Sequence, residues 1–344
     1  VVDLRGIPRL EAIIPQLSSK RVVFVGESHD RYSHHLNQLA IIRGMHERHP
    51  NLVIGLEFFQ QPFQKYLDDY VAGEISEKEM LRGTDYFSRW KFDYRLYRPI
   101  LRYARKEGLK LLALNVPAEL TQKVARQGFD GLEAAEQAQL PEIGETGEQY
   151  RNRLRSIYDV HPHEEGDEKS FEHFVQAQLL WDEGMAERAA DYLRNHPERA
   201  MVLLAGSGHL AYGIGIPSRL KRRVEVDTAL VLNDPQEVLT ADIADFVLLP
   251  EPTPLPPKGR LGIFMEERDD AVLVQKFTDE SAAEAAGLQK DDQIVQIDGQ
   301  GIQSVTDVQL ALLDVDPGDT VRVAVKRGQW LAGSKQAEYA ITLR

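Results

Sequence analysis

The run Val22-Val23-Phe24-Val25-Gly26, leading into Glu27-Ser28-His29-Asp30, constrains this chain more than any other stretch. β-branched and aromatic residues without polar alternation read as a strand covered on both faces, the mark of a parallel sheet packed between helices. Gly26 permits the sharp turn that ends the strand. In open α/β sheets ligands gather outside the carboxyl ends of the strands. Four consecutive polar side chains at such an end therefore mark a candidate site. A plain helix-capping turn through Ser28 or Asp30 accounts for one of them and leaves the others unexplained.

The pattern repeats downstream. Leu36, Leu39, Ile42 and Met45 recur at helical spacing, predicting a helix over 33–48 that carries His34 and His35 in its first turn. Residues 52–56 form a second buried strand ending in Glu57, so the βαβ unit is expected to set Glu27 and Glu57 at adjacent strand ends. A third strand is read at 110–115 and a fourth at 200–205. The fourth runs into Gly206-Ser207-Gly208-His209, the second strand end with Gly-x-x-His spacing after Gly26-Glu27-Ser28-His29. Aromatic residues between Trp90 and Arg98 read as core, with Tyr94 or Arg98 lining a pocket as the alternative. Residues 129–167 are broken by Pro and Gly into helical pieces and loops, an insertion suited to a lid, and hold Tyr150, Tyr158, His161 and His163. A long helix is predicted over 168–195. Further strands at 224–232 and 246–249 are expected to form an antiparallel edge.

Residues 1–249 therefore read as an α/β domain: a central, mostly parallel sheet flanked by helices, with a helical insertion. Proline fills five of the eight positions 250–257, so 250–258 is a stiff linker. Residues 259–344 alternate short strands with turn signals, a small β-rich domain. The chain of 344 residues has a net charge of −13 without a basic run, which argues against nucleic acid as a partner. It contains no cysteine, so disulfides, thiolate metal sites and cysteine nucleophiles are excluded, and any metal or haem would be held by His, carboxylate, Tyr or Met. Val1-Val2-Asp3 carries no signal peptide, as a trimmed or mature chain would not.

Gly259-Arg260-Leu261-Gly262-Ile263-Phe264, Ser281 to Leu288, Asp291 to Gly299 and Pro317 to Val321 together resemble a PDZ domain of the bacterial protease-associated type. The resemblance implies that Leu261, Gly262 and Ile263 hold a peptide carboxylate through backbone N–H groups. It also implies that a helix presenting Val308 and Leu312 walls the groove, with the C-terminus of an envelope protein as partner.

In the first domain, Gly26-Glu27-Ser28-His29-Asp30, His34-His35, Gly55 to Phe59, Trp90 to Pro99, Leu112 to Pro117, Ala177 to Glu183 and Ala205 to His209 resemble the ChaN-like family of haem-binding lipoproteins, within the superfamily of TIKI proteins and erythromycin esterases. The resemblance implies haem as cofactor, held at a homodimer interface with tyrosinate on the iron. It further implies a role in haem or iron uptake at the bacterial cell envelope, the lipid-anchor cysteine being absent from this chain. Tyr158 is the first candidate ligand, followed by Tyr150 and Tyr212, with His161 and His209 nearby. The alternative is a hydrolase. His29, Glu57 and His209 would hold a divalent metal that activates water, or Glu27 or His29 would act as general base without one. Ser28 and Ser207 are poor nucleophile candidates, since neither sits in a Gly-x-Ser-x-Gly turn.

Overall fold

The computed structural model describes residues 9–159, 168–235, 239–329 and 333–344. The chain divides between Pro254 and Leu255 into two compact units. In the first, β1 (Val22–Glu27), β2 (Val53–Gln60), β3 (Lys110–Asn115), β4 (Met201–Gly206), β5 (Thr228–Asn233) and β6 (Phe246–Leu248) form one sheet in the order β3-β2-β4-β1-β5-β6. Every position of β1 and β4 is buried, as apolar strands sandwiched between helix layers require. Phe24, Leu112, Leu203 and Leu232 from the sheet pack with Met185, Ala189 and Leu193 of the long helix Glu168–Asn195.

Two expectations about this sheet are corrected. The edge at β5 and β6 is parallel, because β5 pairs parallel with β1 and β6 with β5. The helix Ile216–Arg223 lies between β4 and β5 and carries the chain back across the sheet, which returns the strand in the same direction. Nor are β1 and β2 neighbours, since β4 lies between them. Glu27 pairs in register with Gly206, and Leu56 with Leu204. The end of β4 therefore sits midway between Glu27 and Glu57, and its Ser207-Gly208-His209 turn rises between two carboxylates.

Among the described residues of the expected insertion, 129–159, lie the helices Ala134–Gln137 and Glu148–Tyr158. Glu183, on the long helix and fully buried, ties it in. It accepts from Gly144 N–H at 3.0 Å and pairs with Arg219, Arg222 and Arg223 at 3.3, 2.8 and 2.6 Å.

The second unit is an antiparallel sheet of β7 (Ile263–Arg268), β8 (Ala271–Phe277), β9 (Gln293–Ile297), β10 (Gln300–Gly301), β11 (Thr320–Gln329) and β12 (Gly333–Thr342). Its order is β12-β11-β9-β8-β7, with β10 on β9. Leu261, Val272, Ile294, Val323 and Ile341 belong to its own core, closed by the helices Ala282–Ala285 and Val305–Ala311. Among the described residues no helix is long and apolar enough to cross a membrane.

Candidate functional sites

At the end of β1 the Glu27 carboxylate is nearly fully buried between two imidazoles. His29 Nδ1 donates to Oε1 at 2.8 Å, and His35 Nδ1 lies 2.8 Å from Oε2. His35 Nε2 donates to the His29 carbonyl at 3.1 Å, so both of its ring nitrogens face acceptors, and against the pull of burial the Glu27 charge with these contacts raises the imidazole. Burial alone would raise the Glu27 carboxyl, but the charges and hydrogen bonds of His35 and His29 outweigh it and hold it well below the usual range. Burial likewise opposes charge on His29, and the Glu27 hydrogen bond with the Glu57 and Glu27 charges raises that imidazole instead. His34 behaves oppositely. Its Nδ1 accepts from Ser28 N–H at 3.0 Å, and burial, with Arg31 and His35 nearby, brings it down to about 4.

A second dyad stands at the end of β4. His209 Nδ1 donates to Asp182 Oδ1 at 2.6 Å, and its Nε2 faces Glu57 Oε1 at 3.4 Å. Glu57 Oε2 accepts from Gly206 N–H at 2.6 Å, so the carboxylate is fixed across the strand gap. Burial lowers His209, but Asp182 and Glu57 outweigh it and raise it to about 9. His29 closes the arrangement, because a Cβ built on Gly206 would lie 3.0 Å from its Cε1. The two Gly-x-x-His ends and Glu57 thus come together in one cluster, where Glu27, Glu57 and Asp182 face His29, His35 and His209.

Aromatic side chains shape the approach. Tyr97 hydroxyl donates to Glu27 Oε1 at 3.2 Å and accepts from Trp90 Nε1 at 3.2 Å. Trp90 and Phe92 each lie 4.8 Å from the His29 ring. The stretch read as core is therefore split, since Tyr94 and Tyr97 are buried while Trp90 and Phe92 flank the histidine. A cavity of about 170 Å³ opens beside Glu57, walled by Trp90, Trp181, Asn115 and Arg89.

Sequence reasoning did not assign Asp182, His35 or Tyr97 to the site. Asp182 and Glu183 follow the apolar Leu179-Leu180-Trp181 on the buried face of a helix, and adjacent acids at core positions were the available signal. The metal reading of His29, Glu57 and His209 finds no support. Among the described residues no group of three or more His, Asp or Glu side chains is placed to hold an ion. The donors are turned toward one another: His29 Nδ1 to Glu27, His209 Nδ1 to Asp182, and Glu57 to Gly206 and His209.

The tyrosines weighed as haem ligands occupy different settings. Tyr150 is buried and its hydroxyl donates to Asp182 Oδ2 at 2.7 Å. Burial and that carboxylate push its phenol far above the usual range, which opposes tyrosinate formation. Tyr158 packs against Phe171 and Phe174, each 5.4 Å away between ring centroids. Tyr212 is partly exposed in the turn after His209, with left-handed backbone (φ 61, ψ 4), rare for a bulky side chain. The Arg153 guanidinium lies 6.0 Å from its ring centroid. His161 lies outside the described residues.

In the second unit a groove of about 700 Å³ runs between β7 and the helix Val305–Ala311, and Leu261, Gly262, Ile263, Val308 and Leu312 are among the residues lining it. Gly262 has φ +75, and a Cβ there would lie 2.8 Å from Ser281 Cα. The Leu261 carbonyl accepts from Ala283 N–H and the Gly262 carbonyl from Thr278 N–H, both at 2.9 Å. Neither Leu261 N–H nor Gly262 N–H donates a hydrogen bond among the described residues. The turn is thus anchored through its carbonyls and presents a pair of donors, a nest suited to an anion.

Comparison with known proteins matches residues 13–220 to the family described as haem-binding uptake, Tiki superfamily, ChaN, and residues 259–340 to the PDZ domain. The solved ChaN of Campylobacter jejuni, titled for cofacial haem binding, is 21% identical with a TM-score of 0.58, covering 70% of this chain and 91% of that one. At that identity the likeness establishes the fold. An erythromycin esterase mutant in its open conformation is 17% identical with a TM-score of 0.42, over 68% of this chain and 74% of that one. Protein RETICULATA-RELATED 5, chloroplastic, of Arabidopsis thaliana is 24% identical over 261 residues, 67% of this chain. The chain spans 34% of that relative's length.

Proposed function

Because this chain belongs to the ChaN family of the Tiki superfamily and carries a PDZ domain after it, we propose that it binds ferric haem through its first domain and recruits a partner protein through its second. The observation that carries the haem reading is Tyr212. It is a partly exposed tyrosine held in a costly left-handed conformation beside an arginine, at the end of the strand that carries His209. Strain of about 1–3 kcal/mol at a non-glycine residue persists where surrounding structure enforces it, and such residues gather at functional sites. The donor chemistry fits: tyrosinate is a hard anionic ligand for ferric iron, and Arg153 supplies positive charge for the phenolate or a propionate. Haem, when bound, would supply the ferric centre and its redox chemistry; Tyr212 would be the residue that holds it and Arg153 the one that balances charge.

The finer reading follows the family: a homodimer of the bacterial envelope, anchored as a lipoprotein and serving haem or iron uptake. Titrating the full chain with ferric haem on a sizing column tests it. A saturable Soret shift at one haem per chain with a move to dimer supports the reading, and the spectrum of free haem opposes it.

A second reading rests on the paired dyads. His29–Glu27 and His209–Asp182 converge on Glu57 beside a small cavity, an arrangement able to exchange protons with a bound ester or amide without metal. With His209 raised to about 9, that histidine serves as the acid at neutral pH, and Glu57, which it faces, is placed to take a proton. Ester hydrolysis lost in Glu57→Gln supports it; identical rates in that variant and the parent oppose it.

In the second domain the nest at Leu261–Gly262 and the apolar walls of Val308 and Leu312 support recognition of a carboxyl-terminal peptide that adds a strand to β7.

A further inference from the structure

The cavity of about 170 Å³ beside Glu57 lies at the carboxyl ends of β2 and β3, where Gln60 and Asn115 are partners in register. Its walls include the rings of Phe58, Tyr86, Trp90 and Trp181. A dry cavity of about 150 Å³ is enough for benzene, so this one accommodates a single flat ring with a small substituent, and not a porphyrin.

Three polar groups with unused bonding capacity line it. Asn115, buried at the end of β3, gives its Oδ1 to the Val116 N–H at 2.9 Å. Gln60 Oε1 accepts from Arg89 at 2.8 Å and from the Ala118 N–H, at the start of the helix Ala118–Gln127, at 3.2 Å. With both oxygens committed, the NH2 groups of the two amides remain, and neither donates a hydrogen bond among the described residues. The third group is Glu57. Its Oε2 is taken by the Gly206 N–H at 2.6 Å, while Oε1 stands 3.4 Å from His209 Nε2, beyond a full hydrogen bond, and can still accept. Charge around the cavity is already balanced, Glu57 by His209 and Arg89 by Glu119 at 2.7 Å. An ion entering would bring an unpaired charge into an aromatic setting, which a neutral molecule does not.

From this complement we infer that the cavity is a binding site for a small aromatic carboxamide. The ring lies among the aromatic walls, the carbonyl oxygen accepts from Asn115 Nδ2 and Gln60 Nε2, and the amide N–H donates to Glu57 Oε1. Such binding needs neither haem nor turnover, so it stands or falls apart from both readings of the first domain.

Benzamide, benzoate and benzamidine share one shape and differ in what they offer: an acceptor with a donor, two acceptors with negative charge, and donors alone with positive charge. Each is titrated into the full chain carrying fluorotryptophan. Fluorine NMR follows Trp90 and Trp181, two of its three tryptophans, assigned through Trp90→Phe and Trp181→Phe. Benzamide is expected to shift both resonances saturably and to bind about tenfold tighter than either ion. Asn115→Asp keeps the oxygen that the Val116 N–H needs and turns the other end into an acceptor, so the order reverses. Benzamide weakens by about tenfold and benzamidine binds best. Gln60→Glu, which likewise keeps an oxygen for Arg89 and Ala118, shifts the preference the same way and supplies the test if Asn115→Asp fails to fold. Benzamide without effect on the two tryptophans, equal affinities for the three compounds, or an order unchanged in the folded variants overturns the site. The haem titration and the ester hydrolysis assay test the other readings independently of that result.

Discussion

Replacing Asp182 by Asn removes one negative charge from beside His209 and nearly preserves side-chain volume. In the parent, Asp182 at 2.6 Å and Glu57 at 3.4 Å overcome burial and raise His209 from 6.5 to about 9. The free-energy equivalent of that difference is roughly 3 kcal/mol. Because the folded value is raised, this stability is fully present below pH 6.5 and is lost as pH climbs through about 9. Asp182 is the nearer partner and the hydrogen-bond acceptor, so most of the effect belongs to it. Asp182→Asn therefore brings His209 down by at least ~1 pH unit. Imidazole NMR titration, with His209→Gln for assignment, reads this directly. Urea denaturation at pH 6 and 9.5 reads its consequence: the parent loses about 1–2 kcal/mol more than Asp182→Asn over that interval. His29 and His35 are also raised, with the same sign, and form a background common to both proteins. An unchanged His209 titration in Asp182→Asn, or identical pH dependence of stability, would refute the assignment of charge in this cluster.

Other perturbations follow from the same geometry. A Cβ on Gly215 would lie 2.0 Å from the His209 carbonyl oxygen, a backbone atom that cannot swing aside. Gly215→Ala therefore destabilises by roughly 3 kcal/mol in denaturant titration. Gly208→Ala, with nothing within 4 Å, serves as the neutral control; equal stabilities would contradict the contact. Glu183→Ala strands three arginines around a buried site and costs about 3–5 kcal/mol in the same measurement. A loss below ~1 kcal/mol would mean the group behaves as a surface pair.

Much of this arrangement could be read from local sequence, because buried parallel strands announce themselves as apolar runs and their carboxyl ends as polar turns. Glu27, His29, Glu57 and His209 were recognisable for that reason. Strand order was not, since nothing local records that β4 inserts between β1 and β2. Asp182 and Tyr97 escaped because they reach the site from a helix and a short turn distant in sequence, where an acid or an aromatic is more often a surface or core residue. The setting of Tyr150 was hidden for the complementary reason. A phenol in an insertion looks available, and only the fold shows its hydroxyl committed to Asp182. In the second unit the Gly262 turn was legible, since its left-handed backbone demands glycine.

Haem binding through Tyr212 is tested most directly by absorption and electron paramagnetic resonance of the ferric-haem complex, parent against Tyr212→Phe. The parent is expected to show a saturable Soret shift with the high-spin and charge-transfer features of tyrosinate ligation. Tyr212→Phe is expected to lose those features, with affinity falling by about tenfold or more. Identical spectra and affinities in the two proteins would contradict Tyr212 as the ligand, and a parent spectrum matching free haem would contradict haem binding itself.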